Sequence, residues 1–183
     1  ENGAISSYRA TDRTNNRIRR NYNFRIGTEY YLDDKNTIGA SAGYRYNNGD
    51  NISLVDYSYF DSNMTLASKS FNLQNEKELE NNFDADISYK HEFDKAGHEF
   101  SFTGRFSAQT EEEDGVISSN SSNNRITDNL EEQTTVVFTA DYVRPIGEKG
   151  KFELGARADF NNNKSDNQTF FDQNGVLVPD PNF

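Results

Sequence analysis

Apolar and polar residues alternate with period two over six stretches of this chain, the spacing that sends successive side chains to opposite faces of a β-strand. Tyr22, Phe24, Ile26, Thr28, Tyr30 and Leu32 share one phase and Asn23, Arg25, Gly27, Glu29 and Tyr31 the other. Ile38 to Tyr46, Phe83 to Phe93, Phe100 to Ala108, Val136 to Tyr142 and Phe152 to Phe160 repeat the pattern. Each run lasts roughly ten residues, beyond the ~5 to 6 of ordinary strands and near what a tilted strand needs to cross a bilayer. Short polar turns at Asp33 to Asn36, Asp94 to Gly97 and Gly147 to Gly150 join the runs in pairs. The pattern therefore predicts three hairpins, at about 20–46, 82–108 and 134–160. The links between them, about 47–81, 109–132 and 161–183, are rich in Asn, Ser, Asp and Glu and are predicted to be long loops.

Tight turns at one end and long connections at the other match outer-membrane barrels, whose periplasmic turns are short and extracellular loops extended. Residues 52–60 and 65–73 have strand character of their own. They are expected to form a hairpin above the membrane, the alternative being two further wall strands. Glu1 to Arg17 reads as polar loop, and Pro179 and Pro181 argue against a closing strand near the terminal aromatic Phe183.

The apolar phase sorts its rings to the ends of the runs. Tyr30, Phe93, Phe100, Tyr142 and Phe152 lie near the short turns, and Tyr22, Tyr46, Phe83, Phe106 and Phe160 near the long links. Between these girdles fall Ile26, Ala40, Ala42, Ile87, Gly104 and Ala156, as on a lipid-facing band. The opposite phase carries Arg25, Glu29, Arg45, Asp84, Asp86, Lys90, Arg105, Asp141, Arg157 and Asp159. An Arg or Lys facing mid-membrane lipid costs about 2 to 4 kcal/mol, so this face is expected to look into a polar lumen.

Composition then fits. Only 33% of the 183 residues are apolar and mean hydropathy is −0.96, yet 14 Phe and 10 Tyr argue against disorder. A net charge of −11 makes nucleic acid an unexpected partner. Without cysteine there is no disulfide framework and no thiolate chemistry. No cofactor or metal and no enzymatic activity are expected. His91 and His98 flank a turn, Glu111 to Asp114 lack a complete calcium-loop pattern, Asp172 to Gly175 lacks its spaced acids, and no Gly-x-Ser-x-Gly elbow or phosphate loop is present.

The segments Gly27-Thr28-Glu29-Tyr30-Tyr31-Leu32, Tyr89-Lys90-His91-Glu92-Phe93, Asp141-Tyr142-Val143-Arg144-Pro145 and Glu153-Leu154-Gly155-Ala156-Arg157 resemble the barrel of TonB-dependent receptor-like proteins of the Bacteroidota. The resemblance runs from about Arg17 to Phe160. It implies a 22-stranded barrel in the bacterial outer membrane, plugged by an N-terminal domain and importing bulky nutrients with energy from the TonB system. The implied partners are outer-membrane lipid, the rest of the barrel and its plug, the TonB system and surface lipoproteins. Since six strands fall short of the eight in the smallest common barrels, the fold expected is all-β, a run of about six antiparallel transmembrane wall strands from a larger barrel. A small complete barrel and a soluble extracellular β-sandwich used for adhesion are the alternatives.

Overall fold

A computed structural model describes residues 6–120, 124–147, 149–173 and 175–181. Among them seven strands follow one another: β1 (Ser7–Asp33), β2 (Asn36–Asp61), β3 (Leu66–Glu92), β4 (Glu99–Ser119), β5 (Asn124–Ile146), β6 (Gly150–Gln173) and β7 (Val176–Pro179). They form one antiparallel sheet in chain order, each strand pairing with the next.

The six long strands contain the six predicted runs, apart from Phe93, which lies just past the end of β3. The links between them differ from the expectation. Residues 47–61 and 66–81 are the distal halves of β2 and β3, paired from Asn47↔Glu80 up to Phe60↔Leu66, so the expected hairpin of 52–60 with 65–73 does form, but as the continuation of strands already begun. Most of 109–132 is likewise β4 and β5, and 161–173 is β6. Ser7 to Arg17, read as loop, pairs along β2 from Asp61 to Asn51. The reason is cooperative. Asn, Ser, Asp and Glu weaken a strand taken alone, but each neighbour here supplies a full ladder of backbone hydrogen bonds, and context overrides propensity in sheets. Pro179 ends the short β7, a position where its missing N–H is tolerated. Phe183 and Asn174 lie outside the described residues.

The hairpin ends are built locally. Asp33 Oδ1 accepts from the Lys35 N–H at 2.8 Å, and Asp61 Oδ1 accepts from the N–H groups of Asn63 (2.9 Å) and Thr65 (2.8 Å), so an Asp closes each turn. Gly97 takes φ 75°, a left-handed conformation that favours glycine.

No second layer covers the sheet among the described residues, which removes the sandwich alternative. The sheet is also open. β1 pairs only with β2, and β6 pairs with β7 over just Phe170 to Gln173, so the small closed barrel is not observed. Val55 is the one buried large hydrophobic among the described residues, while Phe24, Ile26, Tyr30, Ile87, Leu154 and Phe160 are each more than half exposed. A conventional core is missing because the sheet is a single layer with nothing packed over its apolar face among the described residues.

Candidate functional site

Register decides whether the six runs cooperate. Ile26 pairs with Ala42, Ala42 with Ala85, Ala85 with Phe106, Phe106 with Val136 and Val136 with Phe160, so every apolar phase lands on the same side. The next row, Gly27, Ser41, Asp86, Arg105, Val137 and Asp159, falls on the other. All ten ring positions expected at interfaces share the first face, and all ten charged positions share the second.

The rings meet across strands: Tyr22 and Tyr46 at 6.2 Å between centroids, Phe83 and Phe106 at 6.3 Å, and Phe93 and Tyr142 at 6.2 Å. Their rows drift. The row through Tyr22 and Tyr46 continues to Asn81 and Thr110, whereas Phe106 and Phe160 lie on the row of Ile26, four residues along β1 from Tyr22. At the other end Tyr30 aligns with Tyr89 and Phe102, Phe100 and Tyr142 lie two residues lower, and Phe152, opposite Arg144, two lower again. Both girdles thus slip by four residues over five strand steps. At ~3.3 Å per residue and ~4.8 Å per strand this is a slant of about 30°, close to the tilt of barrel strands. The eight residues from Tyr22 to Tyr30 span roughly 26 Å along the strand, near the ~25 Å apolar band of such barrels.

The charged face is a network. Arg25 donates to Asp84 at 2.6 Å and also pairs with Asp86, which accepts from Arg105 Nε at 2.6 Å. Lys90 bridges Glu92 (2.8 Å) and Glu99 (3.2 Å), Arg157 pairs with Asp159 at 2.7 Å, and Arg45 lies 3.5 Å from Glu80. Tyr31 donates to Glu29 at 3.3 Å. Neither Glu29 nor Asp141 has a cationic partner within 4.0 Å among the described residues.

Arg25 and Asp84 are on strands once removed, with Gly43 between them in the same row. A Cβ on Gly43 would sit 2.8 Å from Asp84 Oδ1, so a side chain here would push on the carboxylate that Arg25 holds. Arg19, Gly49 and Glu78 share a row farther up, with an Arg19–Glu78 contact of 2.7 Å, but a Cβ on Gly49 would meet Glu78 only at an ordinary 3.6 Å.

This upper part was missed in the sequence, although Arg17 and Arg19 keep the phase of Arg25, and Glu78 and Glu80 that of Asp84. Arg17 joins Arg19 on Glu78 at 3.0 Å. Alternation along β4 sends Glu111 and Glu113 to this charged face and Glu112 and Asp114 to the other, so the acidic run cannot converge as a calcium loop would. Burial, then Glu78, Glu80 and Glu131, push the Glu111 carboxyl above the usual range; burial, then Glu76 and Glu78, do so for Glu113. A raised carboxyl pKa means that the folded state holds these protons more tightly than the unfolded chain. Stability is then lost as pH rises from the ordinary value of 4.5 through the raised values, and is level above them. Glu111→Gln with Glu113→Gln should therefore slow hydrogen exchange in distal β4 at pH 7, and the gain should vanish near pH 4.5; equal exchange at pH 7 contradicts it.

The histidines belong to the girdle by the short turns. His91 Nδ1 is 2.7 Å from Asn36 Oδ1, which also accepts from the Tyr89 hydroxyl at 2.6 Å. His98 Nε2 is 2.8 Å from the Tyr142 hydroxyl and its ring stacks on Phe93 at 4.0 Å. At the turns themselves Lys35 pairs with Asp94, which holds that carboxyl below its usual range.

A model of the outer membrane protein β-barrel family matches residues 91–183, half of the chain. The chain belongs to the outer membrane protein β-barrel family. Comparison with curated proteins finds no match. As a member of this family it is a protein of the bacterial outer membrane, and the single-layered antiparallel sheet is the corresponding architecture.

Proposed function

We propose that this outer-membrane barrel chain forms a wall section of a TonB-dependent receptor that takes up a bulky solute, with its charged face lining the lumen and its ring face on lipid. The observation that carries this reading is the common register: six strands with rings on one side and paired charges on the other, slanted as a tilted barrel wall is. A network such as Arg25, Asp84, Asp86 and Arg105 is costly in hydrocarbon and cheap beside enclosed water. The open edges of β1 and β6 require further strands of the same barrel, because unpaired backbone is not tolerated in lipid.

A plug domain, the TonB system and surface lipoproteins are the partners that go with this role. Strands reaching some fifteen residues above Tyr22 and Tyr46, roughly 50 Å, would raise the lumen wall well outside the bilayer. No catalysis is assigned to the chain, since the paired charges are accounted for as neighbours along and across strands.

Two measurements test the proposal. Nitroxides at Ala42 and Ala156 in the intact protein should be quenched by oxygen dissolved in lipid and protected from a water-soluble nickel chelate. Accessibility to the chelate at both sites overturns the lipid-facing assignment. Loss of the gene should impair uptake of a scarce large nutrient; unchanged uptake across a broad panel overturns the transport role.

A further inference from the structure

At the short-turn end, the ring face holds a cavity of about 550 Å³ between the β3–β4 turn and the β5–β6 hairpin. Lys95, Arg144, Tyr142, Pro145, Ile146 and Phe152 line it. Its construction follows from the turn: the left-handed Gly97 folds the β3–β4 turn against Pro145, where a Cβ on Gly97 would rest 3.6 Å from Pro145 Cγ. Lys95 Nζ then donates to the Pro145 carbonyl at 3.0 Å, which sets its charge at the mouth. Arg144 stands opposite Phe152 in the β5–β6 ladder, in the phase of Tyr142, and so shares the ring face. Among the described residues no carboxylate lies within 4.0 Å of Lys95 or Arg144, in contrast to the paired cations of the charged face.

Two uncompensated cations over an aromatic and aliphatic floor, at the level of a girdle, match one chemistry. The geometry points to a binding site for the phosphate of an anionic glycerophospholipid in the periplasmic-side leaflet, with Lys95 and Arg144 on the headgroup and Tyr142, Ile146 and Phe152 against the glycerol and upper acyl chain. Long basic side chains at an interface reach toward headgroups while their stems stay on apolar surface, and basic pockets of this kind hold anionic lipid. The site rests on the ring face being the lipid face.

The test is lipid retention by the intact purified protein in native mass spectrometry, with phosphatidylglycerol and phosphatidylcholine offered together. Wild type should retain phosphatidylglycerol about tenfold over phosphatidylcholine, as expected for two charges at a headgroup. Lys95→Gln with Arg144→Gln should bring the ratio near one, and Arg144→Lys alone should keep most of the preference. Equal retention by wild type overturns the proposal without needing any variant, and so does a double variant that keeps the preference. Millimolar inorganic phosphate that strips the bound phosphatidylglycerol would make this a free-phosphate site and overturn the lipid assignment. The nitroxides at Ala42 and Ala156 separate the two readings. Lipid-exposed labels with no phosphatidylglycerol preference sink this site alone, and water-exposed labels sink the lipid face with it.

Discussion

Replacing Ile87 by arginine should destabilise the folded protein by about 2 to 4 kcal/mol in a phospholipid bilayer. Ile87 is 56% exposed on the ring face, midway between the girdles, in the row of Ala40, Gly104, Phe138 and Ala158. On the proposed lipid face a guanidinium there would have only hydrocarbon around it. Thr103 lies one row away on β4, opposite Ser88 and Thr139 on the charged face. Thr103→Arg should cost less than about 1 kcal/mol, as lumen positions accept charge and surface substitutions change stability little. Reversible urea unfolding in bilayers measures both. The comparison is sharper than either value, because the two sites are on adjacent strands and differ in little but the side they face. Equal costs would mean that both faces meet water, and a reversed order would turn the wall inside out.

Gly43→Val should cost about 1 to 3 kcal/mol by overpacking. The new Cβ meets Asp84 Oδ1 at 2.8 Å, and that carboxylate is fixed by Arg25 at 2.6 Å, so relief requires breaking the pair. Gly49→Ala is the control. Its added Cβ would find Glu78 Cβ at 3.6 Å, an ordinary contact, and the change should be neutral or slightly stabilising. Unfolding midpoints of the two variants and of Arg25→Gln with Gly43→Val measure the coupling. If Gly43→Val costs as much without Arg25 as with it, glycine is not serving the ion pair.

The strand runs were legible because alternation is a local property. Phe83 to Phe93 and Phe152 to Phe160 show it without any knowledge of their neighbours. The distal halves were legible only in part: 52–60 and 65–73 show strand character and pair as a hairpin, whereas Asn47 to Asp50 or Asn161 to Asn163 carry no strand signal alone, and only a neighbouring ladder makes extended backbone their best state. That His91 and His98 flank a turn was legible from position alone, but the bond from His98 to Tyr142 joins residues far apart in the chain and needed the fold.

The two-faced character of each strand is written in its own residues, since period two assigns rings and charges to opposite sides whatever lies next door. So is the place of the tight turns, through Asp33, Asp61 and Gly97, whose preferences are local. That the six phases agree, that the girdles slant together, and that Arg25 reaches Asp84 across Gly43 are facts of the assembled sheet alone. These are matters of register, and register depends on which residues of different strands stand opposite, information that no single strand contains.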